Sequence, residues 1–163
     1  MREDAIAAEI LAMVERDQGM RKRLLNDTRA FDATIDRENT RRLQEIVAEI
    51  GWPTRTRVGL AAEDGAWLLI QHADHDRVFQ RYCLELMRAQ PPTEVCPKHL
   101  AYLEDRITVG EGRAQRFGTQ LRKAGGGYEA APIEDPERVD ELRAGVGLGP
   151  LAEYLANVSR WTG

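Results

Sequence analysis

Residues 66–70 read Ala-Trp-Leu-Leu-Ile, and the segment around them, 60–72, has helical length between Gly59 and the polar run that starts at Gln71. A helix that is apolar nearly all round must be covered by other elements, so this chain has to fold around that segment. Amphipathic neighbours flank it. Ile6, Ile10, Met13 and Val14 recur at helical spacing, and Asp17-Gln18-Gly19 suggests an end, with "MRKRLLNDTRAF" resuming the helix after a kink. Leu43, Ile46, Val47 and Ile50 form the stripe of a helix over 39–50, which Gly51 terminates. On the other side Asp74 offers an N-cap to a helix whose buried face is Val78, Phe79, Tyr82, Cys83, Leu86 and Met87.

Proline and glycine divide the rest. Pro53 ends any helix at Trp52, so "GWPTRTRVG" reads as an ordered loop anchored by a buried indole. "QPPTEVCP" is a break, after which Leu100, Leu103 and Ile107 give another helix face. Past Gly110 the texture is glycine-rich. The triple glycine at 125–127 predicts a hairpin with arms Phe117–Leu121 and Tyr128–Ile133. Asp135 and Pro136 form the favoured N-cap and N1 pair of a further helix, and Leu151, Tyr154, Leu155 and Val158 mark a last one. The expected fold is mainly α, a compact single-domain helical bundle with one small β-hairpin near the C-terminal third.

Several function classes are disfavoured. The net charge is −4, without the basic excess of a nucleic-acid binder; the arginines of "RKRLL" and "RENTRR" read as solvated helix faces. No apolar run approaches the ~18 residues of a membrane span, and the charged N-terminus does not resemble a signal peptide. The two cysteines, Cys83 and Cys96, read as reduced thiols, which points to a cytoplasmic protein. The glycine runs at 125–127 and 145–149 lack the context of phosphate or dinucleotide loops.

Candidate chemistry gathers in two places. In "QHADHD", His72 and His75 are three apart, but a cap at Asp74 would send them in different directions, and there is no HExxH, so no metal site is expected. His72 alone, directly behind a buried helix, suits a general acid or base oriented by Asp74 or Asp105. In "YLEDRITVGEGRAQRFGTQ", Asp105, Arg106, Gln115, Thr119 and Gln120 offer a hydrogen-bonding set for a polar small molecule, without a recognisable nucleophile. Trp52, on the loop with Arg55 and Arg57, is a third candidate for ligand contact.

The stretches "GWPTRTRVG", "AWLLIQHAD", "LAYLEDRITVGEGRAQRFGTQ" and "PIEDPERVDELRAGVGLGPLAEYL", spread over about residues 40–156, resemble a widespread bacterial family of unknown function. Phe117 stands where that family usually has tyrosine. The resemblance carries no activity. It implies that Gln71, His72, Asp74, Asp105, Arg106, Gln115, Thr119 and Gln120 belong to shared motifs, and it divides the single domain 1–163 into an N-terminal helical extension, 1–38, and a core, 39–158.

The expectation from sequence is a small cofactor-independent acid–base enzyme, a lyase, isomerase or hydrolase of biosynthetic type, acting on a small molecule or peptide. His72, Asp74 and Asp105 are its catalytic candidates, and Gln71, Trp52, Arg106, Gln115, Thr119 and Gln120 its ligand-binding candidates, with the Gln71–His72 pair expected to face the second cluster. The alternative is a binding module for a small ligand, peptide or partner, without chemistry. No nucleic acid and no membrane is expected as a partner, and the apolar N-terminal helix offers a homodimer interface.

Overall fold

The computed structural model describes residues 2–161. As expected, the chain is mainly α with one small antiparallel hairpin. Its contacts group into two compact units, 1–95 and 96–163.

The first unit holds α1 (Arg2–Leu24), a 3-10 turn at Thr28–Ala30, α2 (Ala33–Ile50), α3 (Arg55–Val58), α4 (Leu60–Gln71) and α5 (Arg77–Arg88). The all-round apolar segment is α4, and it is central: it packs against α1, α2, α3 and α5. Ala66, Leu69 and Ile70 are buried, while Trp67 and Leu68 are half-buried. Gly65 lets α1 come close, because a Cβ there would lie 3.0 Å from Val14 Cγ2 and 3.1 Å from Ile10 Cγ2.

Three boundaries differ from the sequence expectation, each for a local reason. α1 does not stop at residues 17–19 but runs unbroken to Leu24. A glycine inside a helix costs about 1 kcal/mol, and here Met20, fully buried one residue later, outweighs it. α2 starts six residues early, at Ala33, because Asp32 caps it by accepting from Thr34 N–H at 2.9 Å. The cap of α5 is Asp76, not Asp74: its carboxylate accepts from Phe79 N–H at 2.9 Å and is steadied by Gln44 Nε2 at 2.9 Å. Between α2 and α4, the "GWPTRTRVG" loop contains the one-turn α3, and Trp52 is the buried anchor anticipated, 2% exposed.

The second unit holds α6 (Pro97–Gly110), β1 (Leu121–Ala124), β2 (Gly127–Ala130), α7 (Val139–Gly145) and α8 (Leu151–Trp161). Leu121 pairs with Ala130 and Ala124 with Gly127, so Gly125-Gly126 is a two-residue turn. Both have positive φ, 52° and 85°, the conformation that a tight hairpin demands and glycine tolerates. The first arm starts at Leu121 instead of Phe117, because Phe117 and Thr119 turn their N–H groups to a carboxylate, Asp105, and not to a partner strand. α7 starts at Val139: residues 136–138 form a turn closed by Arg138 N–H on Asp135 O, so Asp135 and Pro136 precede the helix instead of opening it. Asp140 on α7 then accepts from Leu151 N–H, fixing the start of α8.

Candidate functional site

His72 is the C-cap of α4, in near-helical backbone, with its N–H bonded to Leu69 O. The end of α4 is held from α5 by Gln80, fully buried, whose Nε2 donates to Ile70 O at 3.0 Å and more weakly to Gln71 O. The imidazole is therefore placed by backbone on one side and meets α1 on the other. Its Nδ1 lies 2.9 Å from Asp17 Oδ1 and 3.0 Å from Arg21 Nε. Arg21 Nε also reaches both Asp17 oxygens at 3.3 Å, and its Nη2 donates to Asp36 Oδ1 on α2 at 2.7 Å.

Asp17 is fully buried, on the apolar stripe formed by Ile6, Ile10, Met13 and Met20. Burial alone would raise its pKa, but hydrogen bonds from His72 and Gln18 and the charges of His72 and Arg21 outweigh burial, so the carboxyl sits below the ordinary range. Asp36 moves the opposite way: burial raises it more than the Arg21 guanidinium lowers it. Two carboxyl groups bonded to one arginine are thus displaced in opposite directions.

The two contacts at Nδ1 cannot be hydrogen bonds at once in a neutral ring, since that nitrogen carries either a proton or a lone pair. With a proton on Nδ1 the ring donates to Asp17, and Nε2 presents a lone pair. With Nδ1 bare the ring accepts from Arg21, and Nε2 presents an N–H. Each neutral tautomer has a partner in place. Among the described residues no group bonds His72 Nε2 or Arg21 Nη1, and the His72 side chain keeps 16% of its surface exposed.

The side-chain ligand atoms of Asp17, Asp36 and His72 lie within 4.8 Å of one another, the spacing a shared cation would need. Arg21 is bonded to all three, so its guanidinium supplies positive charge at that point.

The other sequence candidates of the first unit lie as follows. Asp74 is exposed, and its Oδ1 accepts from Arg77 Nη1 at 3.0 Å and Gln80 Nε2 at 3.4 Å; it is Asp17 that contacts the His72 ring nitrogen. Gln71 and Trp52 are buried, and neither Gln71 Nε2 nor Trp52 Nε1 has a partner among the described residues. His75 is exposed and Asp76 is the α5 cap. Burial pushes the Cys83 thiol far up, which suits an inert core thiol.

In the second unit Asp105, Gln115, Thr119 and Gln120 come together. Asp105 is fully buried, and its two oxygens accept from the N–H groups of Arg116, Phe117 and Thr119 and from Thr119 Oγ1, at 2.9–3.1 Å. Gln115, also fully buried, donates through Nε2 to Gln120 O and Ala131 O and accepts through Oε1 from Gln120 N–H, each at 2.9 Å. Gln120 Nε2 adds a bond to Thr119 Oγ1. Arg143 reinforces the same loop from α7. It is 2% exposed, donates to Phe117 O at 2.8 Å and Gly149 O at 2.6 Å, and lies over the Tyr154 ring. Phe117 is itself buried beneath the Arg116 guanidinium, and Arg106 is half-buried on α6.

The sequence reading passed over Asp17, Arg21, Asp36, Gln80 and Arg143. The signal for Asp17 was a charged residue at an apolar-stripe position, three to four residues from Met13 and Met20. A helix ended at Asp17 hides that signal, and only the unbroken α1 puts the carboxylate on the stripe.

The family of unknown function DUF6624 matches residues 4–161. No curated protein and no solved structure matches the chain.

Proposed function

The chain belongs to the DUF6624 family, and from that premise we propose that it is a small acid–base enzyme centred on His72, with Asp17 and Arg21 as its orienting partners. The observation that carries this reading is the doubly claimed Nδ1: Asp17 at 2.9 Å supports the tautomer in which Nε2 is a base, and Arg21 Nε at 3.0 Å supports the one in which Nε2 is an acid. A group that must take a proton from one atom and return it to another needs both forms within reach. The opposite displacements of Asp17 and Asp36 support the same reading.

The substrate class follows from what is left open. Arg21 Nη1 and His72 Nε2 are the two unbonded nitrogens of the cluster among the described residues, one cationic and one titratable. They suit a small carboxylate with a transferable proton, and the reaction is a proton transfer or an elimination next to that carboxylate. In this reading Asp105, Gln115 and Thr119 hold the 115–120 loop in shape, and no cofactor takes part.

The test pairs a chemical readout with a tautomer readout. Wild-type protein, His72→Ala and Asp17→Asn are screened against a panel of small carboxylates by proton exchange into deuterated solvent, observed by NMR. The imidazole 15N shifts of His72 are followed in parallel. Turnover of at least one compound by the wild type, absent in His72→Ala and reduced about 100-fold in Asp17→Asn, supports the reading. A ring fixed in one tautomer, with no exchange of any compound, sinks it. Binding without exchange would instead make this a binding module.

A further inference from the structure

Away from His72, the seam between α1 and α2 opens into a groove of about 310 Å3, a volume at the small end of ligand pockets. The two helices run antiparallel here, and ion pairs close the groove at both ends. Arg42 grips Glu9 through Nε at 2.5 Å and Nη2 at 2.8 Å at one end, and Arg16 Nη2 meets Glu38 at 3.0 Å at the other. Between them the α1 side is Ala12 and Met13. Ala12 is the reason for the space, since a larger side chain at that position would fill it.

The α2 side carries two features that no protein group explains. Asn39 is 3% exposed, and its Nδ2 has no acceptor among the described residues; its Oδ1 has only a long contact, 3.5 Å, with Arg16 Nη2. Buried amides are normally bonded on both atoms. Arg41, exposed at the groove, makes no side-chain hydrogen bond or ion pair among the described residues, although its neighbour Arg42 is held by both Glu9 and Glu45. A buried donor without an acceptor and an arginine without an anion, beside an apolar floor, call for the same complement.

We propose that this groove binds a small monocarboxylate with an apolar tail. The carboxylate bridges the Asn39 amide and the Arg41 guanidinium, and the tail lies over Met13 in the space left by Ala12. The Glu9 and Glu38 carboxylates at the two ends repel a second anionic group, which restricts the ligand to one carboxylate. This site shares no residue with the His72 cluster and does not depend on the acid–base reading.

The probes are hexanoate, hexylamine and inorganic phosphate, titrated into the whole chain and followed by NMR on the Met13 methyl and the Asn39 side-chain amide. Hexanoate is expected to shift both signals saturably at low-millimolar concentration, with Arg41→Gln weakening it at least 5-fold and Ala12→Leu abolishing it. His72→Ala should leave it unchanged. Hexylamine or phosphate moving both signals as strongly as hexanoate overturns the proposal, and so does the absence of saturation by 20 mM. If Ala12→Leu fails to fold, Asn39→Asp serves in its place: the added negative charge must abolish hexanoate binding, and retained affinity overturns the proposal.

Discussion

The Asp17–Arg21–His72 cluster and the Asp105–Gln115–Thr119 cluster are both built on a fully buried aspartate, yet their bonds are spent differently. Asp105 is saturated by four donors of its own unit, three of them backbone N–H groups, so it acts as a peg on which residues 116–119 are wound. Asp17 is bonded only by side chains, and one of these, His72, has a second suitor at the same atom. A carboxylate saturated by backbone fixes one conformation and has nothing left to offer. A carboxylate that competes for a proton leaves the ring beside it two states. The two aspartates are alike in type and burial; what distinguishes scaffold from candidate site is the count of open valences on the groups bonded to them.

That contrast is broken most directly at the peg. Asp105→Ala leaves three loop N–H groups and the Thr119 hydroxyl without their acceptor, and it is expected to destabilise by about 4 kcal/mol, the large end of single-residue effects. Gln115→Ala removes three bonds and is expected to lose about 2–3 kcal/mol. His72→Ala removes one contested bond at a half-open position and is expected to lose about 1 kcal/mol or less. Urea unfolding of the three variants gives the order. If His72→Ala falls as far as Gln115→Ala, the His72 cluster is scaffold too and the comparison collapses.

The two carboxyl groups around Arg21 sharpen it through pH. The folded pKa of Asp17 is depressed, so its contribution to stability is present above the unfolded value of 3.8 and is lost as pH falls through the lower folded value. Asp17→Asn should therefore be less stable than wild type at pH 7, with the deficit closing below pH 3.8. The folded pKa of Asp36 is raised, so its ionisation opposes folding, an effect that appears as pH rises above 3.8 and is complete above the folded value. Asp36→Asn should be as stable as wild type or more so at pH 7, with that advantage vanishing as pH falls to 3.8. Thermal unfolding from pH 3 to 7 measures both, and deviations of the same sign for the two variants would contradict the split.

How much of this was legible in the sequence follows the same division between local and long-range information. α4 was readable because five consecutive apolar residues leave a helix no exposed face, and the hairpin because Gly125-Gly126 admits the two positive φ angles the turn needs. The cap of α5 was misplaced by two residues because Asp74 and Asp76 are chemically equivalent in one dimension; only the N–H of Phe79 distinguishes them. Asp105, Gln115, Thr119 and Gln120 were legible as a group, since 16 residues of chain, 105–120, hold them all. Their arrangement was not, because it rests on backbone N–H groups, which every residue has and which no composition reveals. Asp17 lies 55 positions from His72. No local pattern joins them, and the nearer Asp74 was the natural choice for a partner.

That choice yields the smallest expected effect and a direct check on the reassignment. Asp74 is exposed, and its carboxylate accepts from Arg77 three residues on and from Gln80 at 3.4 Å. An exposed pair of that kind contributes about 0–1 kcal/mol, and Gln80 keeps its stronger bond to Ile70 O when Asp74 is removed. Asp74→Ala is therefore expected to change stability by less than about 0.5 kcal/mol and to leave proton exchange at the wild-type rate, whereas Asp17→Asn slows it. The reverse pattern, with exchange lost in Asp74→Ala and kept in Asp17→Asn while both remain folded, would transfer the orienting role to the carboxylate two residues from the ring. It would also mean that Asp17, although bonded only by side chains, is a peg like Asp105.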